Sequence, residues 1–226
     1  MRYLRPAAVG LAAALLPLSL SAQTIPSPFR FIETKHAIGT YFGHLQTDPG
    51  ELDLGPNPAP LIGAKYSLHF TGPLSGTVAL GVSATDRTLY ARGTETDAPL
   101  VSLGSTDMFL MLGEAGMRFQ FTGPRAWRRI APFATATAGF ATNLLTGSDE
   151  REEAIPAEQH FSFGPGLAGG IGLGSDFFLS ERVSLHTEFR DYLWRLTTPL
   201  GLSETGSRQG DWTHNFSLTL GGAIHF

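Results

Sequence analysis

The last segment of the chain alternates between two kinds of side chain, and this alternation constrains the fold more than any other feature of the sequence. Because a β-strand projects successive side chains to opposite faces, the segment predicts a strand with one apolar face and one polar or small face. The apolar face would carry Phe216, Leu218, Leu220, Gly222, Ile224 and Phe226, and the other face Thr213, Asn215, Ser217, Thr219, Gly221, Ala223 and His225. A regular strand that stops on an unprotected aromatic residue is typical of a barrel wall in lipid.

The beginning of the chain has the layout of a secretory signal peptide. Two basic residues, Arg2 and Arg5, precede an apolar run that is too short, and too interrupted by proline, to span a membrane as a helix. A short run of small residues follows, so cleavage is expected after Ser21 or Ala22. The prediction divides the chain into a signal peptide at 1–22, a periplasmic lead-in at 23–34 and a barrel at 35–226.

Composition excludes several classes of protein. The chain has no cysteine, which excludes disulfides, thiolate metal sites and a cysteine nucleophile. Its 16 basic and 20 acidic residues give a net charge of −4, which offers no support for binding to nucleic acid. A mean hydropathy of +0.01, with no long apolar run after the leader, excludes a helical membrane protein. A barrel is compatible with such an average, because half of each of its strands is polar or small.

Eight segments with strand-like alternation follow the leader. They are 35–45, 59–70, 76–87, 107–121, 131–143, 160–174, 182–196 and 211–226. The short connections are 71–75, 122–130 and 175–181, and the long ones are 46–58, 88–106, 144–159 and 197–210. Short and long connections alternate, as in an even-stranded outer-membrane barrel whose two termini share the periplasmic side. The sequence therefore predicts an all-β fold, an eight-stranded antiparallel up-and-down transmembrane β-barrel.

The parity of the side chains predicts which of them face outward. Bulky apolar residues occupy one parity of the second, third, fourth, sixth, seventh and eighth segments, and in the sixth this outward set includes Phe161 and Phe163. The opposite parity of that segment is almost entirely glycine, alanine and serine. A lumen lined there by small residues leaves room for bulky side chains from other strands, as a narrow eight-stranded barrel requires.

Charged side chains of both signs share the inward parity of the other segments. Because an isolated buried charge is very costly, these groups are expected to pair. The predicted luminal charge network consists of Lys65, Glu114, Arg118, His186, Glu188 and Arg190. Within it, the two arginines are expected to pair with the two glutamates, with the lysine nearby. We interpret this network as a filling that rigidifies the barrel, in preference to a gate or a proton path.

Three motifs that suggest other chemistry are better explained by strand structure. The glycine pattern over Gly164–Gly169 matches a dinucleotide fingerprint, but that fingerprint needs a following helix, and the sequence here continues as a strand. The seven histidines are scattered singly, without metal-ligand spacing. His160 with Ser162, and Ser184 with His186, place a base two residues from a hydroxyl, but no orienting acid or nucleophile elbow accompanies them. We therefore predict no catalytic residue, no metal ligand and no cofactor.

The long connections are acidic. Segment 148–153 contains four acidic residues. Further acids in these connections are Asp48, Glu51, Asp53, Glu95 and Asp97. We interpret them as solvated loops, with divalent cations that bridge to lipid phosphate as the alternative.

Three segments carry a resemblance to a known family. They are Gly169–Gly174, Val183–Leu193 and the ending Asn215–Phe226. With them the chain resembles the small outer-membrane β-barrel proteins of Gram-negative bacteria, the OmpA/OmpX-type eight-stranded barrels. The ending is similar to the signal that the outer-membrane barrel assembly machinery recognises. The residues that would carry this signal are Phe216, Leu218, Leu220, Ile224 and Phe226.

The resemblance implies a location in the cell outer membrane. It also implies contact with outer-membrane lipids and lipopolysaccharide, assembly by the barrel machinery and a monomeric state. The function expected from it is structural or surface interaction through long acidic extracellular loops, without enzymatic activity. Three alternatives remain open: a lipid hydrolase that uses His160 and Ser162, a narrow passage for small solutes, and a soluble exported barrel that carries a small apolar ligand.

Overall fold

The computed structural model describes residues 27–93, 98–144, 154–203 and 210–226. Its ten strands are β1 Phe29–Phe31, β2 His36–Gln46, β3 Ala59–Thr71, β4 Leu74–Arg92, β5 Leu100–Gln120, β6 Arg125–Trp127, β7 Ile130–Asn143, β8 Gly166–Phe178, β9 Val183–Thr197 and β10 Gly210–His225. Two short 3-10 helices span Ala157–Gln159 and Leu200–Leu202. No helix in the described residues has both the length and the apolar content to cross a membrane. The predicted signal peptide lies outside the described residues.

Eight of the strands form a closed antiparallel barrel. Each of β2, β3, β4, β5, β7, β8, β9 and β10 pairs with the next in this order. The last strand closes the barrel on the first, with Leu218 opposite His44 and Ile224 opposite Ile38. The predicted all-β, eight-stranded up-and-down architecture is therefore confirmed. We call the end where β2 begins and β10 ends the terminal rim, and the opposite end the loop rim.

The alternation of the last segment is realised as the two faces of β10. Leu218, Leu220 and Ile224 are exposed on the outside, whereas Asn215 and Ser217 are buried on the inside. The lumen of a narrow barrel is filled by side chains, so inward residues are covered and outward residues are not. The alternation in sequence therefore assigns the two faces of this strand correctly.

The sixth predicted segment is wrong at both of its ends. Residues 160–165 precede the strand, and Ser175–Phe178, predicted as a turn, are paired with β9 instead. Pro165 has no backbone N–H to donate to a ladder, so pairing starts at Gly166.

The prediction that Phe161 and Phe163 face outward is also wrong. Both side chains are buried, and the ring of Phe163 packs edge-on against Trp194 at a centroid distance of 5.9 Å. Both residues precede β8 and are not part of the barrel wall. Their rings therefore pack inside the loop rim and do not face the exterior.

The third and fourth predicted connections also contain structure that the parity argument did not predict. Strands β4 and β5 continue past the predicted loop boundary, with Arg92 paired to Leu100. At the terminal rim, β1 lies within the predicted lead-in and pairs with β6, which lies within a predicted turn. Three-residue strands are too short for alternation to identify them.

The interior of the barrel is divided into two layers. Near the loop rim, an apolar cluster fills the lumen. Its members include Tyr41, Leu45, Leu61, Met108, Leu110, Phe161, Phe163, Trp194, Leu196 and Leu202. From the middle of the barrel to the terminal rim, most of the buried residues are charged or polar, although Phe133, Ala131 and Phe178 are buried there too. The sequence predicts the polar layer but not the apolar one.

Candidate functional site

The outer surface of the barrel carries a belt of large apolar side chains. Leu167 is 80 % exposed, and Ile171, Leu173, Leu218 and Ile224 are each about 60 % exposed. An exposed apolar surface of this extent marks a contact with other molecules or with lipid. The five residues of the predicted assembly signal, Phe216, Leu218, Leu220, Ile224 and Phe226, all belong to this exposed set.

Glu188 is the centre of the ion pairs inside the barrel. The Lys65 ammonium group donates a hydrogen bond to its Oε2 at 3.0 Å, and the Arg190 guanidinium donates to its Oε1 at 2.5 Å. The Thr135 hydroxyl donates to the same Oε1 at 2.8 Å. All of these charged side chains are at least nine-tenths buried, so the carboxylate is held by two cations and a hydroxyl without bulk water.

Glu114 completes a chain of alternating charge across the lumen. Arg190 forms an ion pair with it as well as with Glu188, and the Thr137 hydroxyl donates to its second oxygen at 2.7 Å. The four groups therefore carry two positive and two negative charges. They come from three strands, with Lys65 on β3, Glu114 on β5 and the other two on β9, so their attraction ties opposite sides of the barrel together.

Arg118 lies in a separate ion pair, with Asp176 on β8. The sequence instead predicts that it pairs with Glu114 or Glu188. Its guanidinium carbon also lies 3.6 Å from the ring centroid of Phe133, a cation–π arrangement. Asp176 was missed because it fell within a predicted turn, although it continues the inward parity of the glycines at 170, 172 and 174.

The sixth predicted network residue, His186, is buried between these groups and the terminal rim. It lies opposite Asp176 in the β8–β9 ladder. Its Nε2 has no hydrogen-bond partner among the described residues and packs over Gly221, where an added β-carbon would lie 2.5 Å from it. His186 therefore lies in the same part of the lumen as the Arg118–Asp176 pair. Among the described residues, it forms no hydrogen bond with Lys65, Glu114, Glu188 or Arg190.

The two histidine–serine pairs of the sequence are not formed in the way that spacing suggested. The His160 ring bonds the backbone carbonyl of Ile155 at 2.9 Å. Ser184 bonds His225 on the neighbouring strand, at 2.7 Å, and its side chain is completely buried. Among the described residues, no group of three or more histidine, aspartate or glutamate side chains is arranged to hold a metal ion.

Of the acidic loop residues, the structure describes Asp48, Glu51 and Asp53. Glu95, Asp97 and segment 148–153 lie outside the described residues. Asp48 accepts a hydrogen bond from the Gly50 backbone at 2.9 Å, and Asp53 accepts one from the Thr88 hydroxyl at 3.2 Å. These carboxylates therefore take part in local loop structure.

The empty space inside the described part of the barrel is small. A cavity of about 50 Å³ at the terminal rim is lined by Lys35, His69, Arg118 and Gln120, among others, and has room for a few water molecules. Towards the loop rim, the apolar cluster fills the lumen. The described interior is therefore packed rather than channel-like.

Comparison with known proteins bears on the fold. No protein-family model and no curated protein sequence matches the chain. Among solved structures, the outer membrane protein OprG from Pseudomonas aeruginosa superposes with a TM-score of 0.52 at 11% sequence identity, over 88% of this chain and 99% of that one. The chain has the fold of a small outer-membrane β-barrel.

Two further structures of this fold are similar at lower TM-scores. The N-terminal barrel domain of Pseudomonas aeruginosa OprF gives a TM-score of 0.46 at 12% identity, over 85% of this chain and 98% of that domain. Neisserial surface protein A gives 0.45 at 15% identity, over 84% and 97%.

Proposed function

We propose that this chain is an integral protein of the bacterial outer membrane. It spans the membrane as a monomeric barrel, with the terminal rim in the periplasm and the loop rim outside the cell. Its role is structural or surface interaction through the extracellular loops, and its physiological partners are outer-membrane lipids, lipopolysaccharide and, during biogenesis, the barrel assembly machinery. The apolar parity of β10 serves that machinery as the assembly signal.

One observation carries this proposal: the barrel is apolar outside and ionic inside. Exposed Leu167, Ile171 and Leu218 would be unfavourable in water, at about 25 cal/mol for each Å² of apolar surface. In hydrocarbon the same surface costs nothing, and the ion pairs of Glu188 are shielded within the lumen. A soluble exported carrier would require the reverse arrangement on its outer face.

The alternatives receive less support from the geometry. A lipid hydrolase based on His160 and Ser162 would need those side chains bonded to each other, and the His160 ring is bonded to a backbone carbonyl. A solute passage would need a continuous opening, whereas the apolar cluster fills the lumen near the loop rim. A filled barrel suits a protein whose working surface is the loops.

Cell fractionation combined with gel migration tests this proposal. We expect the expressed protein in the outer-membrane fraction, resistant to salt extraction and solubilised by detergent. Unheated samples should migrate differently from heated ones, because a closed barrel resists unfolding until it is heated. Recovery in the soluble periplasmic fraction would refute the proposal. Altered lipid A in overexpressing cells would instead favour the hydrolase.

A further inference from the structure

The small sheet formed by β1 and β6 extends the barrel wall at the terminal rim. Phe29 lies opposite Trp127 and Phe31 opposite Arg125, and residues that face each other in a ladder point to the same side. This side is open, with Phe31 63 % exposed and Trp127 44 % exposed. The other side is packed, because Ala126 is buried against Phe178 and neighbouring residues of the barrel.

Arginine side chains lie over the aromatic rings of this exposed face. The guanidinium carbon of Arg125 is 4.5 Å from the ring centroid of Phe31, and that of Arg128 is 5.4 Å from the ring centroid of Trp127. Stacking on a ring leaves the N–H donors at the edge of the guanidinium available to an anion.

The hairpin that joins β6 to β7 has an unexpected sequence at its turn. Trp127 pairs with Ile130, so Arg128 and Arg129 are the two turn residues, and their φ angles are +48° and +74°. A two-residue hairpin with both residues left-handed is normally Asn-Gly, because a side chain with a β-carbon is strained there. Two arginines oppose the folding preference of the turn, which points to a role other than folding for their side chains.

The charge around this sheet is strongly positive. Segments 27–35, 121–130 and 179–182, which form this part of the terminal rim, hold six basic residues and two acidic ones. The basic residues are Arg30, Lys35, Arg125, Arg128, Arg129 and Arg182, and the acidic ones are Glu33 and Glu181. Within the described part of the chain, none of the six forms an ion pair.

We propose that the outward face of the β1–β6 sheet, with the Arg128–Arg129 turn, binds the phosphate headgroups of anionic phospholipids in the periplasmic leaflet. The inference rests on the proposed function, because only a membrane-spanning barrel brings this face to the headgroup level. Aromatic rings are stable at that level, and guanidinium groups bind phosphate with two parallel hydrogen bonds. Each arginine near an anionic surface increases lipid association by about fivefold.

Quenching of tryptophan fluorescence by brominated lipids tests the site. The refolded mature protein is placed in vesicles of brominated phosphatidylcholine or brominated phosphatidylglycerol, in a Trp212→Phe background. Trp194 is completely buried, so Trp127 becomes the tryptophan that lipid quenches. We expect stronger quenching by phosphatidylglycerol, and a preference that decreases at high salt.

Three variants separate charge from structure. Arg128→Asn with Arg129→Gly installs the pair that this turn favours, so the barrel should still fold while the preference falls about tenfold or more. Arg128→Lys with Arg129→Lys should keep most of the preference. The matched control, Arg92→Gln with Arg195→Gln, removes two arginines near the loop rim and should leave the preference unchanged.

Each alternative result has a defined meaning. An inserted, heat-modifiable protein with no preference for phosphatidylglycerol would overturn the lipid site and leave the proposed function intact. An equal loss in the loop-rim control would also overturn it, because net charge alone would then explain the preference. Quenching that is weak in both lipids, with cross-links between copies at this face, would assign the face to a second copy. Failure to insert into any vesicle would refute the proposed function itself.

Discussion

Glu188 shows how a single side chain stabilises this barrel. It is the acid shared by Lys65 and Arg190, and all three are buried. A buried charge that loses its partner costs more than the pair contributed, because the remaining ion is still removed from water. The parity of the sequence was sufficient to place these residues inside. It could not show that Arg118 would pair with Asp176 instead, because that choice depends on distances across the lumen.

Replacement of Glu188 by glutamine should therefore reduce stability strongly. We expect the free energy of unfolding to fall by about 3 kcal/mol or more, since two cations lose their shared carboxylate. Urea titration of the protein in lipid vesicles measures this change. The matched control is Glu181→Gln, which removes an exposed acid in the turn before β9 and should change stability by about 0.5 kcal/mol or less. A loss of under about 1 kcal/mol in Glu188→Gln would show that the network does not stabilise the fold.

At the level of elements, the seam between β2 and β10 is the contact that closes the barrel. Two of its glycines differ in the space available to them. A β-carbon on Gly43 would lie 2.0 Å from the Leu218 backbone oxygen, whereas one on Gly222 would lie 3.8 Å from the nearest atom, the Ser184 backbone oxygen. The sequence predicted that both strands exist and which faces they have. It did not show which glycine lies too close to the neighbouring strand to carry a side chain.

Alanine substitution at the seam distinguishes these two positions. Gly43→Ala should lower the free energy of unfolding by about 1 to 3 kcal/mol, because the strands must move apart to admit the methyl group. Gly222→Ala should be tolerated. Heat-modifiable migration across a temperature series gives the comparison. Equal unfolding temperatures for the two variants would contradict the close contact at Gly43.

For the whole molecule, the decisive property is the direction in which its apolar surface faces. The belt that includes Leu218, Leu220 and Ile224 points outward, and the ion pairs point inward. The apolar cluster near the loop rim does not alter this arrangement, because it closes one end of a lumen that is otherwise mainly polar.

If the outer face lies in lipid, the cost of placing a charge on it should depend on the depth of that position in the membrane. Leu220→Arg, near the middle of β10, should cost about 2 to 4 kcal/mol in the free energy of unfolding in vesicles. Trp212→Arg, on the same face near the loop rim, should cost about 1 kcal/mol or less. A similar cost at both positions would indicate that this face does not lie across a hydrocarbon layer.

The sequence by itself determined the number of barrel strands, their order and the faces of most of them, because alternation with a period of two is a local property. The tertiary structure decided three features: the acid that pairs with Arg118, the inward packing of Phe161 and Phe163, and the pairing of β1 with β6. Each depends on residues far apart in the chain that meet only after the barrel closes. Strand register and the width of the lumen set those meetings, and neither quantity is encoded in a short sequence window.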